Sequence, residues 1–386
     1  MCKFTGKSFQ ILHFDHIVVG LGSMGSSTLY QLSKRGKSVL GLEQFQSPHE
    51  KGSHGGQSRI IRMAYYEHPD YIPLLQKAYN NWDILEKESG KKIFHRTGLY
   101  YTGPVTHDII HHVKESAQAY QIELEKKKLP HIYSPDHWET ILEPDAGFLK
   151  PELAVKTFLE EAQKNGATIL QHTSVLEWKR EGKIVIVYSD KGTFSCNKII
   201  FTAGPWTSSL LKETEKHLSI TRQLLVWIKV QDKEKYAPDN FPCWFIVEEN
   251  KPGAYYGFPW MGQDAYNDVE GLKFAYHYPG EMTDPDKVNR EIDDMELNDI
   301  RDIVHKYFRI EPNIAFAKTC LYSNTPDEHF VIDNMPGMEE NVCYAWGFSG
   351  HGFKFVSVVG EILADLAIDG TTSLPIDFLK AGRFAR

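Results

Sequence analysis

The sequence predicts an α/β fold of two domains, and three observations carry that prediction. The chain has 386 residues, too many for one small hydrophobic core. Residues Asp15 to Leu42 read as strand, glycine-rich turn, helix and strand, the opening of a parallel sheet. Residues 216–317 have another texture, aromatic-rich strands followed by a helix, which reads as an antiparallel sheet.

Composition narrows the class. Hydrophobic residues at 41% and charged residues at 24% are ordinary for a soluble globular chain. The net charge of −8, with Lys and Arg scattered, argues against a nucleic-acid surface. Five cysteines, at 2, 196, 243, 320 and 343, form no metal-spaced pair and no even disulfide set, which suits a reducing cytoplasm. The first residues, MCKFTGKSFQILHF, lack an apolar signal core, no run approaches the roughly 18 apolar residues of a membrane span, and AGRFAR carries no lipidation or peroxisomal signal. A soluble cytoplasmic protein with no membrane or nucleic-acid partner is expected.

The elements follow in chain order. DHIVVG is a buried strand of β-branched residues ending at Gly20. Gly20-Leu-Gly22-Ser-Met-Gly25 is a GxGxxG, and the helix SSTLYQLSKR behind it stops at Lys34, Arg35 and Gly36. KSVLGL is the next strand and closes on Glu43. Each part suits dinucleotide binding. Gly20 permits the tight turn, Gly22 lets backbone approach a pyrophosphate, and Gly25 lets helix pack on strand. Ser23 and Met24 open the helix whose N-terminus holds phosphate, and Glu43 accepts from ribose hydroxyls. The fingerprint leaves NAD and FAD both open.

Beyond Glu43 lies the polar loop SPHEKGSHGGQS, then RIIRMAYYEHPDY, where Arg59 and Arg62 would share a face on a helix. A helix is predicted over 71–89, mixed strand and helix over 91–150, and a helix over 151–164. His107, His111 and His112 are read as a solvated helix face, not a metal site. ATILQ, KIVIVYS and TFSCNKIIFTAG are strands, the last returning to the nucleotide domain with Ala203, Gly204 and Trp206 near a cofactor. Near the C-terminus, Gly347-Phe-Ser-Gly350-His-Gly352-Phe-Lys354 precedes an apolar helix. This is a second place where backbone N–H groups meet something electron-rich. Two such loops call for one long ligand.

Taken together, GLGSMGSS, GSHGGQSRIIRMAY, AGPW, YYGFP with GLKFAYH, KTCLYSNTPDEHFVID and GFSGHGFKF resemble the monomeric sarcosine oxidase family of FAD-dependent amine oxidases, which includes N-methyltryptophan oxidase and pipecolate oxidase. The pieces span residues 15–370 in the family's order. The resemblance implies a two-domain α/β flavoprotein with a Rossmann-like FAD-binding domain (10–85, 150–215 and 318–386) interleaved with an antiparallel-sheet substrate domain (86–149 and 216–317). It implies FAD joined to Cys320 as a thioether at the 8α-methyl carbon. Arg62 and Lys354 match the pair that clamps a substrate carboxylate, and Arg59 matches a basic residue beside the flavin. Lys273 matches a lysine that helps oxygen take electrons. Tyr256, His277 and Tyr322 match residues lining the substrate cavity. Ser53, His54, Val175, Gly350 and Gly352 match further cofactor contacts, with Lys354 beside them.

The implied activity is oxidation of a secondary amino acid, N-methyl or cyclic, by a monomer that uses oxygen and yields imine or aldehyde and hydrogen peroxide. Two features depart from sarcosine-specific members. Gly55 stands where a second histidine is usual, and WMGQDAYNDVE, with Trp260 and Tyr266, is longer than usual, so a bulkier amine such as N-methyltryptophan or pipecolate is an alternative. An NAD-dependent amino acid dehydrogenase would share the first fingerprint but has no role for the C-terminal cysteine and lysine loop. A nucleotide-binding scaffold would hold FAD that no amino acid bleaches.

Overall fold

Strand β1 (Leu12–Val19) turns from exposed to fully buried along its length, as its run from Leu-His-Phe into Ile-Val-Val requires. It ends at Gly20, and helix α1 (Ser23–Lys34) carries the chain back to strand β2 (Val39–Leu42). The computed structural model describes residues 11–265 and 269–385; Cys2 and Tyr266 lie outside them. β1 pairs in parallel with β2 and with Gly192–Phe201. Thr168–Leu170 extends the parallel set beyond β2, and Val342–Trp346 extends it beyond Gly192–Phe201. Val175–Glu181 and Ile184–Ser189 add an antiparallel pair at one side, and Val331–Asn334 another.

Helix α1 packs between the helices Pro151–Lys164 and Val356–Ile368, and Ile72–Ser89 lies against the latter. Their apolar faces share one core, in which Leu29, Trp82, Val155 and Leu363 are all buried. The C-terminus of Val356–Ile368 meets two side chains rising from the sheet. Lys198 Nζ donates to Leu366 O at 2.6 Å, and His16 Nε2 lies 3.3 Å from Ala367 O. A buried cation there answers the helix dipole and satisfies orphan carbonyls.

Among the described residues the second sheet has nine strands. Ser219–Ile228 pairs antiparallel with Ile314–Asn324 on one edge and with Gly271–His277 on the other, followed by Ala254–Met261 and Cys243–Ile246. Cys243–Ile246 then joins Leu99–Pro104 in parallel. The boundary expected at residue 318 falls inside the strand Ile314–Asn324, whose pairing with Ser219–Ile228 continues to Asn324. Residues 318–324, Cys320 among them, therefore sit in the antiparallel sheet. Arg59–Ile61 is a strand, not the helix on which the two arginines would share a face, because it pairs with Gly147–Leu149. His107 caps the helix Asp108–Tyr120 by accepting from Ile109 N, and exposed His111 lies 3.2 Å from Glu115.

Candidate active site

The turn after β1 is built by glycine. Gly20 has φ +88°, and a Cβ there would meet Thr202 O at 2.7 Å. A Cβ on Gly25 would lie 1.9 Å from Gly20 O, so helix and turn touch through backbone. A Cβ on Gly22 would meet only the His54 ring, at 3.7 Å, leaving that face open for a ligand. No side chain caps α1, so its first N–H groups stay available to an anion. Glu43 Oε2 accepts from Leu21 N at 2.7 Å and Oε1 from Phe45 N at 2.9 Å. Each oxygen keeps a lone pair for a hydroxyl.

These residues open a cavity enclosing about 1260 Å³ of empty space, open solvent included. Gly20, Gly22, Ser23, Met24, Glu43, Ser53, His54, Arg59, Val175, Ala203, Gly204, Trp206, Gly350 and Gly352 all line it. Two of its walls carry buried polar atoms without partners, His54 Nε2 and Ser323 Oγ. Burial, with the His49, Arg59 and Lys318 charges, pushes His54 down to about 3, so it faces the cavity as a neutral imidazole. A long cavity with an uncapped helix start, an acid and orphan polar atoms fits a dinucleotide such as FAD. Gly25 lies behind its wall.

A second, smaller cavity of about 430 Å³ shares Arg59, Tyr322, Gly350 and Phe353 with the first. Arg62, Lys354, Tyr256, His277 and Tyr66 also line it. Although Arg59 and Arg62 leave one strand and its turn, the chain delivers both to this junction. Lys354 lines only the second cavity, where its Nζ donates to His351 O at 2.9 Å. Arg59 is anchored by the carbonyls of Ser53, Gly55 and Ser58 at 2.6–2.9 Å.

Beside Arg62 and Lys354, the two cations expected to clamp a carboxylate, sits an acid that the sequence did not single out. Glu67 accepts from Arg62 Nη2 with both oxygens, at 2.7 and 2.6 Å, while Arg62 Nη1 donates to Ala64 O. The Tyr65 and Tyr66 rings lie 4.4 and 4.1 Å from the guanidinium carbon. Burial alone would raise Glu67, yet Arg62, His351 and Lys354 hold it down at about 2. Burial and the Arg62 charge bring Lys354 down to about 7, with Glu67 opposing them. Burial puts His277 at about 4 and His351 at about 3, so both are neutral near pH 7. His351 Nε2 lies 2.9 Å from Glu328 O and so carries the proton, leaving Nδ1 to accept from Tyr65 OH.

A pH dependence follows. Only protonated Lys354 attracts a carboxylate, and its pKa in the ligand-free protein is about 7. Affinity for a carboxylate ligand without an amine should be flat below that pH. Above it, affinity should fall by up to about tenfold per pH unit, because each bound ligand then requires one proton. Glu67→Gln removes the charge that supports the ammonium and should move the break to lower pH. Calorimetric titration from pH 5 to 9 checks both, and a flat profile would remove Lys354 from the clamp.

Lys273 and Cys320 line neither cavity. Lys273 is fully buried, and its Nζ donates to Gly56 O at 2.6 Å, Ser58 O at 3.1 Å and Ser58 Oγ at 3.2 Å. Burial and Arg59 push its pKa well down, but three acceptors use all three hydrogens of an ammonium. On the far side of that loop, Glu152 Oε1 accepts from Gly56 N at 2.8 Å and Gln57 N at 3.1 Å. The peptides thus lie between an anion and two cations. Cys320 is a free thiol, 2% exposed, packed with Leu225, Trp227 and Ala275. The next residues of its strand, Leu321, Tyr322 and Ser323, form the wall of the larger cavity.

A family model described as DAO, FAD dependent oxidoreductase, matches residues 15–366. The chain belongs to this family, and its α/β fold is the two-domain fold of these flavoenzymes. It is 38% identical to the monomeric sarcosine oxidase of Bacillus sp. (strain NS-129), covering 97% of each chain. It is 32% identical to the N-methyl-L-tryptophan oxidase of Salmonella enteritidis PT4 (strain P125109), covering 97% of this chain and all of that one. In fold it is similar to the open form of NikD, an amino acid oxidase essential for nikkomycin biosynthesis, with TM-score 0.82, 23% identity and coverage of 96% and 97%. L-Proline dehydrogenase from P. horikoshii gives TM-score 0.83 at 19% identity, covering 97% and 99%. Among the described residues no helix is long and apolar enough to cross a membrane.

Proposed function

We propose that the protein is an FAD-dependent oxidase acting on the CH–NH bond of small secondary amino acids such as sarcosine. The products are an imine, which hydrolyses, and hydrogen peroxide. The observation that carries this reading is the cationic clamp of Arg62 and Lys354 in a buried cavity that shares four wall residues with the nucleotide cavity. The relatives named above support it.

Gly20, Gly22, Ser23 and Glu43 of the larger cavity would hold FAD, which would supply a two-electron acceptor that oxygen can reoxidise. The protein orients and polarises. Arg62, paired with Glu67 in this structure, would turn its fork to the substrate carboxylate, and Lys354 would add a point charge. Phe245, Tyr256 and Phe353 wall the cavity with rings that exclude water. His277 Nδ1, 3.2 Å from Tyr322 OH, presents a neutral group beside the amine and does not add a cation there. Gly20, Gly22, Ser23 and Glu43 would hold the nucleotide, and Arg59 would stand at the junction of cofactor and substrate. The enzyme works in this reading as a cytoplasmic monomer.

The FAD-loaded protein should bleach without oxygen when given sarcosine or a cyclic secondary amino acid, and should stay yellow with the corresponding amide. Bleaching by N-methyltryptophan alone would shift the reading to the bulkier amine. Colour that no amino acid bleaches would leave a nucleotide-binding scaffold.

Covalent attachment at Cys320 is part of the proposal. It is supported by the KTCLYSNTPDEHF match and by the thiol's place on the strand that walls the larger cavity. Acid precipitation should leave yellow colour in the pellet, and Cys320→Ala should release it to the supernatant. Colour wholly soluble from the unmutated protein would sink the attachment.

A further inference from the structure

Among the described residues around the clamp, Tyr66 has a hydroxyl that is left over. Tyr65 bonds His351, Tyr71 bonds His329, Tyr101 donates to Glu143, and Tyr322 bonds His277. The Tyr66 hydroxyl is buried, has no acceptor for its hydrogen although the Arg62 guanidinium lies near enough to act on it as a donor, and belongs to a ring that lines the smaller cavity. Leaving a buried hydroxyl unsatisfied is unfavourable, so such a group in a cavity wall points to a ligand atom. Its surroundings say which atom. The ring stacks on Arg62, with the guanidinium carbon 4.1 Å from its centroid, and the Arg62 and Glu67 charges both act on the hydroxyl. Lys354 lines the same cavity. The orphan hydroxyl therefore stands beside Arg62, whose carboxylate partner in this structure is Glu67, and in the wall of the cavity that Lys354 also lines.

We infer that Tyr66 is a third member of the carboxylate clamp, its hydroxyl donating a hydrogen bond to the carboxylate that Arg62 and Lys354 hold. The inference rests on the clamp reading above and adds a neutral donor to it. Burial and the Glu67 charge raise the phenol far above its ordinary value, so it keeps its proton at any working pH. A permanent donor rewards a carboxylate oxygen over an ester or amide, because hydrogen bonds to charged groups are the stronger ones. Tyr66 is thus a specificity residue for free amino acids, while its ring face keeps the Arg62 fork in plane.

The experiment compares Tyr66→Phe with the unmutated FAD-loaded protein. Two probes are titrated by the perturbation of flavin absorbance and by calorimetry: N,N-dimethylglycine and its carboxamide. Phenylalanine keeps the ring over Arg62 and removes only the hydroxyl. The expected result is that dimethylglycine binds roughly ten- to a hundredfold more weakly to the variant, the range for a hydrogen bond to a charged group. Carboxamide affinity and flavin content should stay nearly unchanged. Equal binding of both probes by the unmutated protein would overturn the clamp reading itself. Preference for the carboxylate that survives undiminished in Tyr66→Phe would overturn the role of Tyr66 alone, its hydroxyl then being met by water. Tyr66→Leu separates ring from hydroxyl: it should lose more affinity than Tyr66→Phe, since Arg62 then loses its stacking face as well.

Discussion

Arg62→Ala should weaken binding of a carboxylate ligand by at least about thirtyfold. Truncating one partner of a buried, hydrogen-bonded charge pair costs roughly 2–5 kcal/mol, and 2 kcal/mol is already about thirtyfold. Two local facts push the effect upward. Arg62 is 1% exposed, so no water shell replaces it. Its loss also leaves Glu67, an anion at neutral pH with a pKa of about 2, facing Lys354 without its partner. The cavity would then present a carboxylate where a carboxylate must bind. Part of the damage would be structural, because an unpaired buried charge destabilises the fold. The double variant with Glu67→Gln removes that part and should recover stability but only some of the affinity. Spectral titration gives the affinity, and flavin content gives the control, because Arg62 lines only the smaller cavity. Unchanged affinity in the single variant would mean that the guanidinium serves Glu67 and Ala64 and not the ligand.

The parts of this site that were legible in the sequence are those whose cause is local. Gly20, Gly22 and Gly25 are fixed by a turn and a helix start within six residues, so the motif carries its own geometry. The glycine-rich loop before Val356–Ile368 is local in the same way. Glu67 and Tyr66 had no such signal. They sit in AYYEHPDY, five and four positions beyond Arg62; five fits neither a helix face nor a strand face, and four would mean a shared face only on a regular element, which residues 62–67 do not form. Only the return of the chain over the guanidinium buries them.

Long-range pairing explains the other differences. RIIR is neutral between helix and strand by itself, and Gly147–Leu149 decides for strand by hydrogen-bonding to it. The resemblance implies a boundary at 318, whereas Ile314–Asn324 runs through that point as one strand. Glu152 reads locally as a first-turn acid suited to a helix N-terminus. That it also holds the Gly56 and Gln57 amides depends on a loop about a hundred residues earlier.

Lys273→Met should slow the half-reaction with oxygen by more than about a hundredfold while leaving reduction by the amine comparatively intact. Lys273 is fully buried, and its ammonium is held by Gly56 O, Ser58 O and Ser58 Oγ. Those residues belong to the loop that also anchors Arg59, whose side chain lines both cavities. The Phe258 and Trp227 rings lie 4.6 and 5.4 Å from Nζ and keep the surroundings dry. In a dry site, one fixed cation stabilises charge that develops nearby by several kcal/mol. When oxygen takes its first electron, negative charge appears on a molecule that had none, so that step gains most from the ammonium. Losing roughly 3 kcal/mol there slows it by more than a hundredfold. In the proposed reading, reduction by the amine draws on Arg62 and Lys354 in the smaller cavity, which Lys273 does not line, and has less to lose. Methionine keeps the length and apolar bulk of the side chain, which limits collapse at the site. It still leaves three oxygen acceptors without their donor, so the loop 56–58 should be checked by hydrogen exchange. Rapid mixing of the reduced protein with oxygenated buffer reads the first half-reaction, and anaerobic mixing with substrate reads the second. A reduced variant that reoxidises at the unmutated rate, with the loop unchanged, would leave Lys273 as a structural tether for Gly56 and Ser58.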